Sequence, residues 1–332
     1  MSKAKTKTPA ITMVVTTGYK AEAAHMTLAA IAAQTIAEQI ELLFWVQPGT
    51  DVAPVQHLLD AVGSYRVFDT EPIDTVDRCC ARMALEARAP YVATIEDHAF
   101  TEPEWAETMI RTFEETGVDG VGSGMLNANP STRLSWANFM LSYAQWAAAN
   151  PEGPTDWISH HNGAFRLSAL QRLTPDEVID GSNREGDVVR LLKESGAQLY
   201  FQPACRIRHI NPSSLDSTTR LRSDVGRLYG ANRAKSEGWS PLRRAMYLGL
   251  GPAIPLLRYV RMRHDIFRQL PDVTERTHGV ALFAGLVFDA AGQMMGYAAG
   301  PGGARDRLAG FEMDRAMHLT VDDKLRLYPA SR

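Results

Sequence analysis

The first hundred residues alternate between two kinds of hydrophobic pattern. Residues 11–17 (ITMVVTT) form a short apolar run rich in β-branched residues, which suits a strand buried on both faces. Residues 22–34 are Ala-rich with apolar positions at helical spacing, and 40–46 (IELLFWV) are again a compact apolar run, closed by Pro48 and Gly49. The same reading predicts a helix over 52–62, a strand over 65–68, a helix over 75–87 and a strand over 91–95 (YVATI). Strand and helix in strict alternation imply right-handed βαβ units and a mostly parallel sheet flanked by helices. Farther on, 105–116 reads as helix, 118–121 as strand, 127–133 as a polar loop, 187–195 as a helix stopped by Gly196, and 198–202 as strand. The aromatic segment 136–149 (WANFMLSYAQWAAA) reads as a helix whose rings pack on the sheet. Phosphate loops of the G-x-G-x-x-G or G-x-x-x-x-G-K-[ST] type do not occur, which weighs against dehydrogenase or P-loop chemistry.

In open α/β sheets, ligands bind beyond the carboxyl ends of the strands. There the sequence places Glu96-Asp97-His98, three ligand-type side chains directly after an apolar run. Carboxylates in that position suit a hard divalent cation that neutralises a diphosphate, although acidic residues also favour the first turn of a following helix. Together with 11–17, the run APYVATIEDHAF, the segment WISHHNGAFRLSALQRL and the segment NREGDVVRLLKESGAQLYFQPACRIRH, the order of motifs resembles the family 2 glycosyltransferases of the GT-A fold over about residues 12–209.

The resemblance implies a Rossmann-like GT-A domain over residues 11–215, after a flexible N-terminus at 1–10, with a C-terminal α-helical region at 216–332. It implies an inverting transfer of one sugar from a nucleotide-diphosphate sugar, with a UDP-sugar as the expected donor, to an acceptor hydroxyl, as in cell-surface polysaccharide or glycoconjugate synthesis. A carboxylate would deprotonate the acceptor, which attacks the anomeric carbon as the nucleoside diphosphate leaves, its charge balanced by Mn2+ or Mg2+. On this reading Glu185 is the base, with Asp187 as the alternative, which equally suits a first-turn helix carboxylate. Glu96, His98 and His209 would hold the metal. Thr16, Thr17, Tyr19, Gln47, Arg78, Arg82, Asp97 and Asn162 would contact the donor. The chain departs from the family pattern in three places. Gln47 stands where a nucleotide-binding Asp is usual, Arg78-Cys79-Cys80-Ala81-Arg82 replaces an Arg-Asn pair, and the Gln-x-x-Arg-Trp motif of processive synthases does not occur. Single-sugar transfer is therefore expected, and a catalytically weak GT-A-like protein that binds a sugar or a partner is the alternative. Adjacent residues seldom ligate one metal, so His160-His161 is expected to contact the acceptor or pack in its loop.

Charge divides the chain. A net charge of −3 over 332 residues conceals a stretch, 201–270, with thirteen Lys and Arg against four Asp and Glu. Arginines flank the uncharged run 245–257, which is too short to span a bilayer and suits an interfacial element near anionic lipid. A second apolar stretch, 280–299, contains Gly292-x-x-x-Gly296. Its six Val, Leu and Phe residues favour insertion by roughly 3 kcal/mol and Asp289 opposes it by a similar amount, so a span is not indicated. The tail is expected to dock on an anionic membrane or to form a homodimer, and with no recognition module in sight nucleic acid is not an expected partner. Three cysteines, Cys79, Cys80 and Cys205, read as buried reduced thiols, and the N-terminus lacks a signal-peptide pattern. The expected location is the cytoplasm, peripheral to the inner face of the plasma membrane.

Overall fold

A computed structural model describes residues 2–3, 8–18, 20–182 and 187–328. The chain forms two compact units, Met1–Leu126 with Trp146–His209, and Asn127–Gln145 with Ile210–Arg332.

The first unit is built on a ten-stranded sheet. Its strands are β1 (Ser2–Lys3), β2 (Ile11–Thr16), β3 (Ile40–Trp45), β4 (Ser64–Phe68), β5 (Tyr91–Glu96), β6 (Ala99–Thr101), β7 (Gly120–Asn127), β8 (Gly153–Thr155), β9 (Gly163–Arg166) and β10 (Leu199–His209). The spatial order is β1-β4-β3-β2-β5-β9-β7-β10-β6, with β8 also on β10. The expected parallel pairing holds for β2 with β3, β3 with β4, and β2 with β5. Beyond β5 the sheet is mixed, because β9 runs antiparallel to both β5 and β7, and β10 antiparallel to β6 and β8.

The helices of this unit are α1 (His25–Ala32), α2 (Gln56–Leu59), α3 (Val76–Leu85) and α4 (Trp105–Thr116). The aromatic helix α5 (Arg133–Tyr143) belongs to the second unit, and α6 (Leu167–Leu170), α7 (Pro175–Ser182) and α8 (Asp187–Glu194) return to the first. Val14, Leu43 and Val92 on one sheet face pack with Cys79, Cys80 and Met83 of α3 and with Val178, Val188 and Leu192 of α7 and α8. Met13 and Val15 point to the other face and are equally inaccessible, so both faces are covered, as continuous apolar strands require. The Thr75 hydroxyl caps α3 by accepting from the Arg78 amide at 3.3 Å. Cys79, Cys80 and Cys205 are buried free thiols.

The second unit holds α5 and the helices α9 (Leu215–Ser236), α10 (Pro241–Leu250), α11 (Ile254–Gln269), α12 (Glu275–Ala299), α13 (Ala304–Met313) and α14 (Val321–Leu327). The aromatic residues of α5 pack here, not on the sheet as the sequence suggests. Trp136 meets Phe139 edge to face at 5.7 Å and lies 6.1 Å from the His278 ring, while Leu141 lies against Gly285 of α12. Buried Arg222 of α9 fastens α5, donating to the Asn138 side chain at 2.8 Å and to the Ser142 hydroxyl at 2.7 Å. The uncharged run 245–257 is divided between α10 and α11 by a 3-10 turn at Gly251–Ala253, where Pro252 ends the first helix. Among the described residues one helix, α12, is long and apolar enough to cross a membrane by length and composition, and half of its apolar window is buried in the fold. Asp289, within that window, pairs with Arg258 at 2.9 Å.

Candidate functional site

Two sheet pairings bring the first cluster together. The parallel register sets Glu96, the last residue of β5, beside Thr16 of β2. After a two-residue turn at Asp97-His98 the chain re-enters the sheet as β6, where Ala99 pairs with His209 at the end of β10. Glu96, His98 and His209 thereby converge, with one potential ligand atom from each inside a 4.8 Å span. His209 Nε2 lies 3.1 Å from one Glu96 oxygen and His98 Nε2 3.8 Å from the other. The two imidazoles meet edge to face with centroids 4.8 Å apart.

Each member is oriented by a neighbour. His98 Nδ1 is 2.9 Å from the Asp97 carboxylate, whose other oxygen accepts from the Thr17 hydroxyl at 2.7 Å. A carboxylate on Nδ1 fixes the tautomer that leaves Nε2 as the ligand nitrogen. Asn162 grips Glu96 twice: its side-chain oxygen accepts from the Glu96 amide at 3.1 Å, and its side-chain nitrogen donates to the Glu96 carboxylate. Asn162 does this from the left-handed region, φ 56°, alone among the described non-glycine residues. Burial by itself would raise the Glu96 carboxyl, but His209 and His98 outweigh it and hold the group well below the usual carboxylate range. An ionised carboxylate and two imidazoles in a buried pocket form a donor set that fits Mn2+, Zn2+ or a similar divalent ion.

The other residues expected at the site are placed as follows. Thr17 and Asp97 act on His98, and the Thr16 hydroxyl contacts the Cys80 sulfur at 3.2 Å. The Gln47 side-chain oxygen accepts from the Ile73 amide at 3.3 Å. Arg78 pairs with Asp74 at 2.9 Å and Asp180 at 2.6 Å, and Arg82 with Asp74 at 3.1 Å, so both guanidinium groups already face carboxylates. Arg82 also stacks over Trp45, which is itself stacked on Phe68 at 5.5 Å. Tyr19 and Glu185 lie outside the described residues, and Asp187 is the first residue of α8, its side chain outside them as well.

A second group was not legible in the sequence. Asp77, in the first turn of α3, meets His160 and His161, again with one potential ligand atom each within 4.8 Å. His161 Nε2 is 3.3 Å from Asp77, and the two histidine rings are 3.6 Å apart. These residues line a cleft walled by Cys80, Val92, Phe165, Val178 and Val188. Asp77 was hidden because a carboxylate in a first helical turn looks like an answer to the helix dipole.

No protein-family model and no curated protein matches the sequence. Solved structures match the fold. Mannosyltransferase PcManGT from Pyrobaculum calidifontis, in complex with GDP-Man and Mn2+, superposes with a TM-score of 0.53 at 15% identity, over 89% of this chain and 88% of that one. S. aureus TarS 1-349 in complex with UDP-GlcNAc gives 0.49 at 11% identity, over 87% and 92%. The fold is thus GT-A-like, a mixed sheet with flanking helices followed by a helical region.

Proposed function

We propose that the protein is an inverting glycosyltransferase that moves one sugar from a nucleotide-diphosphate sugar, a UDP-sugar first among candidates, to an acceptor hydroxyl. The observation that carries this reading is the Glu96, His98 and His209 centre at the carboxyl end of β5 in a GT-A-like sheet. A Mn2+ or Mg2+ ion bound there would supply charge neutralisation for the departing diphosphate. The chain's own residues do the rest. Asp97 and Thr17 hold His98 in its ligand tautomer, Asn162 fixes Glu96, and Glu185 takes the acceptor proton, with Asp187 as the alternative base. The mannosyltransferase of like fold, seen with GDP-Man and Mn2+, accepts this class of donor and ion.

The test is transfer or hydrolysis across a panel of nucleotide sugars with Mn2+ or Mg2+. Glu185→Gln is expected to abolish transfer and leave donor binding intact, while equal turnover in that variant removes Glu185 from the role. The second reading, a GT-A-like protein that binds a sugar or partner without turnover, draws support from Gln47, Arg78 and Arg82, all engaged within the chain. Tight sugar binding without turnover in the same panel would favour it.

We further propose that the second unit docks on an anionic membrane, from the cytoplasmic side and without spanning it. Leu242, Met246 and Leu250 stand exposed at four-residue spacing on α10, which buries none of its residues, and Leu256, Leu257 and Val260 are exposed on α11. Between Glu237 and Asp265 the chain has five arginines and no carboxylate. Arg243, Arg258 and Arg263 pair with Glu237, Asp289 and Glu275, and exposed apolar side chains in an arginine-rich segment match a surface of acyl chains beneath anionic headgroups.

A further inference from the structure

We infer that Asp77, His160 and His161 form a second divalent-metal site, of the imidazole-rich kind that takes Zn2+, in the first unit and distinct from the Glu96 centre. The inference does not rest on the transferase reading. Its donors come from α3 and from the turn just before β9, elements far apart in sequence.

The strongest indication is the placement of the His160 ring. Its Nε2 is buried without a hydrogen-bond partner among the described residues, and its ring stands 3.6 Å from that of His161, beside Asp77. A buried imidazole nitrogen facing a second imidazole and a carboxylate is an arrangement suited to a metal-ligating histidine.

Adjacent histidines rarely share an ion, yet here the chain bends sharply through 160–161 into the left-handed Asn162, and both rings lie on the side of Asp77. Tetrahedral bonds of about 2.0–2.1 Å put ligand atoms roughly 3.4 Å apart, so the present 4.8 Å span closes with small side-chain rotations. Two imidazoles and one carboxylate favour a borderline ion such as Zn2+ over Mg2+, which prefers oxygen. An ion there would tie α3 to the turn carrying Asn162, and so to the residue that fixes Glu96.

The experiment uses the full-length, metal-stripped protein dialysed against Zn2+ alone, with the metal-to-protein ratio read by mass spectrometry and no nucleotide present. Wild type is expected to hold two ions. Glu96→Gln with His209→Ala should hold one, Asp77→Asn with His160→Ala should hold one, and all four changes together none. Asp77→Asn alone and His160→Gln alone preserve side-chain volume and should each weaken one site by tenfold or more, which keeps the question decidable if the double variant does not fold. Retention of both ions by folded Asp77 and His160 variants overturns the inference. So does a folded Glu96 and His209 variant that holds none.

Discussion

At the scale of single residues, Asn162 is the most constrained position of the metal centre. The sequence places it among the donor contacts, whereas in the structure its side-chain amide serves Glu96, from a backbone conformation that few side chains adopt. Asn162→Gly keeps that backbone accessible and removes both hydrogen bonds. Its melting temperature should stay close to wild type while Mn2+ affinity, read by calorimetry, falls about 10–100-fold, as expected for loss of a group that orients a ligand. Unchanged affinity would mean that β5 alone positions Glu96. Glu96 and His98 were visible in the sequence because an apolar strand ends on them abruptly. His209 was visible only through resemblance, since nothing local to it states that its strand returns to Ala99.

At the scale of elements, strands β2, β3 and β5 were legible as continuous apolar runs, because they are buried on both faces. β10 was read only to Gln202, since Pro203 looks like a stop. It continues to His209 with buried Cys205, Ile207 and His209 alternating with exposed Ala204, Arg206 and Arg208, a period-2 pattern typical of a strand covered on one face. The contact of α9 with α12 was half legible. Gly292 and Gly296 stood out, but their counterparts Gly226 and Gly230 did not, and all four let the helix backbones touch. A Cβ at Gly292 would stand 2.0 Å from the Ser223 carbonyl oxygen, and one at Gly226 2.0 Å from that of Asp289. Gly292→Ala should therefore destabilise by about 1–3 kcal/mol, a cost of forced repacking. Gly249→Ala on α10, where a Cβ meets nothing within 4 Å, should stabilise by about 0.5–1 kcal/mol. Denaturant melts of the pair check both signs.

His318 adds a pH dependence to the same unit. Its ring stacks on Phe311 at 3.5 Å and bonds the Ser217 hydroxyl at 3.0 Å, and burial, then Arg315, hold it down to about 4. The unfolded chain takes up this proton near 6.5, so the folded state binds fewer protons between those values. The stability it contributes is complete above about pH 6.5 and is lost as pH falls toward 4. Urea midpoints should drop over that window, and drop less in His318→Gln. An equal drop in both would assign the effect to other groups.

At the scale of the whole molecule, the modest net charge is an average over segments of opposite character. The arginine-rich, carboxylate-free segment coincides with the exposed apolar side chains of α10 and α11. Binding to anionic vesicles at low salt should exceed binding to neutral vesicles and weaken as salt rises, since exposed charges are screened within about 10 Å at 0.1 M. Leu242→Glu with Leu256→Glu should reduce binding severalfold in a sedimentation assay. Equal binding to neutral lipid, or a dimer in light scattering whose formation those changes abolish, would assign the face to another partner. Fold class was legible at this scale because alternation of strand and helix is a long-range pattern. The membership of α5 in the second unit was not, because an aromatic helix shows only that it is buried, not which surface receives it.

His209 is the last residue of the first unit and Ile210 the first of the second. The first unit therefore ends on a candidate metal ligand. A fragment ending one residue early would keep the sheet's apolar strands and lose a third of the donor set.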